Sequence, residues 1–169
     1  LLSDLIALGN KETDYFLGVV ILKQIINGTS VYGDYKVVID GQQRLTTLAI
    51  FLKVLYLKNN ANDWFVKKFF VDDETFAICH SHIDRDDFAR IMTLTSCEDL
   101  VGKDTDNGIK HHSNILQAYD YFRKTLDPSL INIPKLLNNV NVIDLVIDHN
   151  DDEQQIFDTI NSLGVDLTT

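Results

Sequence analysis

A short apolar run, Tyr35-Lys36-Val37-Val38-Ile39, ends at Asp40, and Gly41-Gln42-Gln43-Arg44 follow without a gap before a helical pattern begins. Leu45, Leu48, Ala49, Leu52, Leu55 and Tyr56 recur at three- and four-residue spacing, which predicts one apolar stripe on a helix of several turns. The β-branched and aromatic run before Asp40 predicts a strand, and a continuous run this short suits a strand buried on both faces. A strand-to-helix corner therefore falls on residues 40–44. Gly41 permits a backbone angle closed to other residues and a close approach by a ligand, so the unpaired amides of Gly41 to Arg44 can converge on one point. Such a point attracts anions. Arg44 adds a fixed charge and a planar donor fork suited to phosphate, while Gln42 and Gln43 offer neutral amides that can bond a phosphate oxygen or hold a water.

Asp40 does not fit a plain anion site, because a carboxylate beside a phosphate is repulsive unless a cation or a proton in flight lies between them. A magnesium ion bridging Asp40 and phosphate oxygens removes the conflict, and so does a water that Asp40 orients for attack on phosphorus. The competing reading makes Asp40 a helix cap, Gly41 a turn residue and Arg44 one half of a surface ion pair. Local chemistry leaves both open.

The stretch IDGQQRLTTL resembles the hallmark of the DGQQR family, to which the N-terminal domain of GmrSD-type modification-dependent restriction enzymes belongs. Upstream, DYFLGVVIL is similar to a glycine-containing strand of that family; QAYDYFRKTL is similar to its aromatic helix and IFDTINSLGVDLTT to its Asn-Gly segment. The five-residue core is the specific part, and the likeness runs almost from end to end. It implies an α+β fold of ParB and sulfiredoxin type, a mixed sheet with flanking helices and a helical C-terminal half, in which a strand, a Gly-containing loop and an Arg at a helix start bind phosphates. It further implies binding and hydrolysis of a nucleoside triphosphate such as GTP, with Mg2+ as cofactor, coupled to restriction of modified foreign DNA in bacterial defence. Carried onto this chain, the resemblance makes Gly41, Gln42, Gln43, Arg44, Thr46 and Asn161 nucleotide contacts. It makes Asp40, Gln42 and Gln43 catalytic, with Asp40 also the metal ligand. From the residues alone, Asn161 and Gly164 read as ordinary caps at a helix end.

The family's usual opening segment has no counterpart in LLSDLIALG, and Leu167-Thr168-Thr169 stop where the family continues into further helices. The chain is therefore expected to be one domain, residues 1–169, from a longer protein. DNA and a nuclease domain are the implied partners through that full-length protein. Asp148-His149-Asn150 is faintly like the start of an HNH nuclease motif, but it follows the apolar run VNVIDLVID without a partner motif and reads as a strand end.

Composition sets further bounds. A chain of 169 residues with 45% apolar content is long enough for a real core. The net charge of −10 argues against a nucleic-acid grip over the whole surface, since non-specific DNA binding neutralises phosphates with Lys and Arg. One basic-aromatic cluster, Lys67-Lys68 with Trp64, Phe65, Phe69 and Phe70, has the makings of a base-stacking platform, but such clusters are more often a helix with one core face and one wet face. No apolar run approaches the roughly 20 residues that span a bilayer. Two cysteines, Cys79 and Cys97, are too few for a disulfide framework, which favours a reducing, cytoplasmic setting. Cys79, His80, His82, His111 and His112 lack the paired spacing of zinc fingers and read as solvated side chains. Asn27-Gly28-Thr29 matches a glycosylation sequon and reads as a hairpin turn.

In order along the chain, the pattern predicts a helix end at Leu1–Leu8, a strand at Tyr15–Ile26, and a Gly-rich turn at Asn27–Asp34 that returns antiparallel into Tyr35–Ile39. After the long helix come helical stretches at Asp63–Phe70 and Asp84–Met92 and a polar, mobile loop at Ser96–Gly108. A helix at His111–Leu126 has Ile115, Ala118, Tyr119 and Phe122 on one side and is stopped by Asp127-Pro128. Val140–Ile147 is a strand, and Asp151 starts a last helix with Ile156, Phe157 and Ile160 inward. Antiparallel pairing mixed with several helices is an α+β arrangement. Two functions fit. One is an NTPase that gates cleavage by a nuclease outside this segment. The other is a non-hydrolytic, ParB-like module that senses nucleotide or DNA with the same pocket. No guanine-reading element of NKxD type is visible, so the base preference is not legible.

Overall fold

The computed structural model describes residues 14–26, 34–59, 71–72, 75–76, 78–80, 84–97, 113–148 and 150–165. The expected elements at 1–8 and 63–70, the turn at 27–33, most of the loop at 96–108, and His82, His111, His112 and His149 lie outside these residues.

Strand β1 (Tyr15–Ile25) runs down the middle of a three-stranded sheet, flanked by β2 (Tyr35–Asp40) and by a strand from the C-terminal half, β5 (Val140–Ile147). The β1–β2 pair is antiparallel, from Ile25 opposite Tyr35 to Ile21 opposite Asp40, and β1–β5 is parallel, from Tyr15 opposite Val140 to Lys23 opposite Ile147. The sheet is therefore mixed. A separate two-stranded ribbon joins β3 (Val71–Asp72) to β4 (Thr75–Phe76). Helices α1 (Gln42–Lys58), α2 (Arg85–Thr93), α3 (Asn114–Thr125), α4 (Ile133–Asn139) and α5 (Glu153–Val165) complete an α+β arrangement.

Helix α1 organises the core. Over Ala49–Leu55 every residue is buried, and Phe51, Val54 and Leu55 are completely so. Phe51 meets Phe122 of α3 edge-on at 5.6 Å. Phe88, Ile91 and Met92 come in from α2 and Leu136 from α4. The expected single stripe is thus too narrow: Ile50, Phe51 and Val54 lie off it and are buried too, because helices pack on more than one side of α1. Lys53 is buried among them, and its ammonium donates to the Met92 carbonyl at 2.8 Å, in the last turn of α2 where carbonyls lack helical partners.

The sheet departs from expectation at its edges. β2 is an outer strand with Tyr35, Lys36 and Val37 exposed, so it is not buried on both faces. Its apolar run cannot reveal this, since edge or centre is decided by which strands pair. β5 is likewise exposed over Asn141–Val146. Helix α3 ends at Thr125 with Leu126 as its C-cap, and Asp127 and Pro128 open a short 3-10 turn in which the Asp127 carboxylate accepts from the Ser129 amide at 3.0 Å. Helix α4 adds to the expected elements, and its start follows ordinary rules: Asn132 caps it, accepting from the Lys135 amide, and Pro134 sits in the first turn. Helix α5 continues through Asn161 and Gly164 to Val165, so Asn161 lies within the helix and not at its cap.

Candidate functional site

The corner at residues 40–44 takes its shape from two glycines. Asp40 is the last residue of β2, and Gly41 turns the chain in the left-handed region, φ 89° and ψ 6°, before α1 starts at Gln42. A Cβ on Gly41 would stand 3.0 Å from Cγ2 of Val20 and 3.4 Å from its Cα, so the close packing of the turn on β1 also calls for glycine. The first helical bond runs from the Leu45 amide to the Gly41 carbonyl at 3.0 Å. The amides of Gln42, Gln43 and Arg44 precede it and have no acceptor within the helix. The N-cap is Gly41, and among the described residues no side chain caps the helix. Asp40 is therefore not the helix cap that one reading of the sequence made it.

Residues Ile39 to Arg44 line a surface hollow of about 390 Å³. Arg44 reaches across it in two directions: Nη1 donates to the Val19 carbonyl on β1 at 3.0 Å, and Nη2 donates to Oδ2 of Asp40 at 3.2 Å. The acid and the cation of the corner are thus an ion pair, with about one third of each side chain exposed (34% and 38%). Gln42 folds back so that Nε2 donates to the Val38 carbonyl at 2.8 Å, which ties the helix start to β2 and leaves the amide oxygen as its free end. Gln43 is exposed, and its carbonyl accepts from the Thr47 hydroxyl.

Thr46 stands apart from this lining. The Thr46 hydroxyl is hydrogen-bonded to Nε2 of His80 at 2.9 Å, and the imidazole rests on the Phe88 ring with centroids 4.6 Å apart. Burial lowers the His80 pKa below its ordinary value, with the nearby Asp84 carboxylate partly opposing. Asn161 belongs to α5. A hollow of about 500 Å³ on that helix is lined by Asp152, Gln154, Gln155, Asp158, Thr159 and Ser162, and two carboxylates with no cation in that lining make it ill suited to phosphate.

A model of the N-terminal domain of GmrSD restriction endonucleases matches residues 1–169. The chain belongs to that family. No curated protein and no solved structure matches it. As a GmrSD N-terminal domain, this chain is a component of a restriction enzyme, with DNA and a nuclease domain as partners of the full-length protein. Among the described residues no helix is long and apolar enough to cross a membrane, and no three His, Cys, Asp or Glu side chains cluster as a metal site.

One residue of the GmrSD domain's corner escaped sequence reasoning. Gly18, in the middle of β1, has φ 122°, and a Cβ placed there would overlap Nη1 of Arg44 and lie 3.3 Å from Cζ. The available signal was a glycine inside a strand of branched residues, which often marks a bulge or a close approach.

Proposed function

We propose that the Asp40–Arg44 corner binds the phosphates of a GTP-like nucleoside triphosphate together with Mg2+, and that hydrolysis there gates DNA cleavage by the nuclease of the full-length protein. The observation that carries this reading is a hollow lined by residues 39–44, in which the start of α1, with three amides that have no acceptor within the helix, lies beside Arg44. Fixed donors of that kind recognise phosphate.

Asp40 suits a magnesium ion of the usual nucleotide-bound kind, which takes one or two carboxylates and fills its remaining positions with phosphate oxygens and water. Its carboxylate lines the hollow and is partly exposed. The ion, when bound, neutralises charge on the phosphates. Arg44 supplies the complementary charge from the protein side, and its partly exposed pair with Asp40 is weak enough to rearrange around an incoming anion. Gln42 has its amide nitrogen committed to Val38, so its oxygen is the end able to hold an attacking water. Gln43, exposed beside it, is the second candidate for that role.

The Asp40–Arg44 ion pair also supports a second reading, in which Asp40 only steadies Arg44 and the corner senses nucleotide without turning it over. Phosphate release and equilibrium binding, measured on the full-length protein with Mg2+ and GTP or ATP, separate the two. Many rounds of release per protein support hydrolysis. Saturable binding without release supports sensing, and absence of both removes the nucleotide reading altogether.

A further inference from the structure

We infer that Gly18 is the positioning residue for Arg44: the space left by its absent side chain is the seat in which the guanidinium lies. For its functional readout this rests on the proposed role of Arg44 in binding phosphate; the geometry itself does not.

Three observations meet at this point of β1. The β1–β5 register shifts between Phe16, opposite Asn141, and Gly18, opposite Val142, so Leu17 is an extra residue on the central strand. Such bulges bend a strand and re-aim its groups. The backbone at Gly18 then adopts φ 122°, where residues with a side chain are strained. Finally, the guanidinium lies over that backbone, donating from Nη1 to the carbonyl of the next residue, Val19, and from Nη2 to Asp40. Any Cβ at position 18 would occupy the volume of Nη1. The guanidinium would then have to shift, and its bond from Nη1 to the Val19 carbonyl would be displaced. Glycine inside a strand is otherwise unfavourable, because it adds chain entropy to the unfolded state and gives neighbours nothing to pack on.

The test is a double-mutant cycle in the full-length protein with Gly18→Ala, Arg44→Ala and both together, read by melting temperature and by affinity for Mg·GTP. The cycle separates two effects of Gly18→Ala: backbone strain persists when Arg44 is removed, whereas overlap with the guanidinium does not. Gly18→Ala should lower the melting temperature, and by clearly less when Arg44 is already Ala. It should weaken Mg·GTP binding about tenfold or more in the Arg44 protein, the scale of one displaced charge-assisted contact, and have no further effect in the Arg44→Ala protein. A merely structural defect would weaken binding in both backgrounds. Additive melting shifts, undiminished binding by Gly18→Ala, or equal losses in both backgrounds would overturn the inference. If Gly18→Ala does not fold, recovery of folding in the double variant supports it, and a double variant that also fails to fold overturns it. Should the wild-type protein bind no nucleotide, the proposed function fails while the melting cycle still decides the role of Gly18.

Discussion

Asp40 accepts a hydrogen bond from Arg44 at 3.2 Å, so the acid and the cation of the DGQQR corner restrain each other four residues apart. This relationship gives the carboxylate a partner at the corner in the absence of ligand. Both side chains stay partly exposed and able to exchange partners.

Removing the cation should be felt mainly by the ligand. On the proposed reading Arg44→Ala deletes a charge-assisted phosphate contact worth on the order of 1.5 to 3 kcal/mol, so nucleotide affinity should fall about 10- to 100-fold. Calorimetric titration with Mg·GTP checks this, and unchanged affinity would take Arg44 out of the site.

Gly41→Ala attacks the turn itself. The left-handed backbone costs a residue with a side chain about 1–2 kcal/mol, and contact with Val20 adds to this. Denaturant unfolding should show a loss of at least that size, with nucleotide binding reduced as the helix start moves.

The strand-to-helix corner was legible because Asp40 and Gly41 break an apolar run sharply and a helical spacing begins at Leu45. The parallel return of Val140–Ile147 beside β1 was not legible, since pairing between distant strands leaves no local mark. The same reason hid the edge position of β2 and the role of Gly18, whose meaning lies in a side chain far along the sequence. Thr46 shows the converse: its place in the motif says nothing of His80, which reaches it from another part of the chain. The start of α4 at Asn132 and Pro134 is written locally, in an Asn cap followed by a proline in the first turn.

His80 should give stability a pH dependence. Its folded pKa lies below the ordinary value of 6.5, so the unfolded chain takes up its proton first. The contribution of the neutral ring is present above 6.5 and is lost as pH falls from there toward the lowered folded value. His80→Gln should flatten the melting temperature between about pH 7 and pH 5 relative to wild type, measured by thermal unfolding across that range.

Phe51 tests the core. It is completely buried and edge-on to Phe122, so Phe51→Ala should destabilise by about 3–5 kcal/mol. Chemical denaturation measures this, and a loss under about 1 kcal/mol would contradict the packing of α1 against α3.

The most direct test of hydrolysis at the corner is steady-state phosphate release by full-length Asp40→Asn, with nucleotide affinity and melting temperature measured on the same protein. The fold should be kept, because Gly41 and not Asp40 caps the helix and an exposed ion pair is worth only about 0–1 kcal/mol. Affinity should hold or rise, since Arg44 is released from its partner and the phosphates lose a neighbouring negative charge. Turnover should fall by about a hundredfold or more if Asp40 holds the metal or positions the water. Release at the wild-type rate, with affinity and melting temperature unchanged, would contradict the account and leave Asp40 as no more than the partner that steadies Arg44.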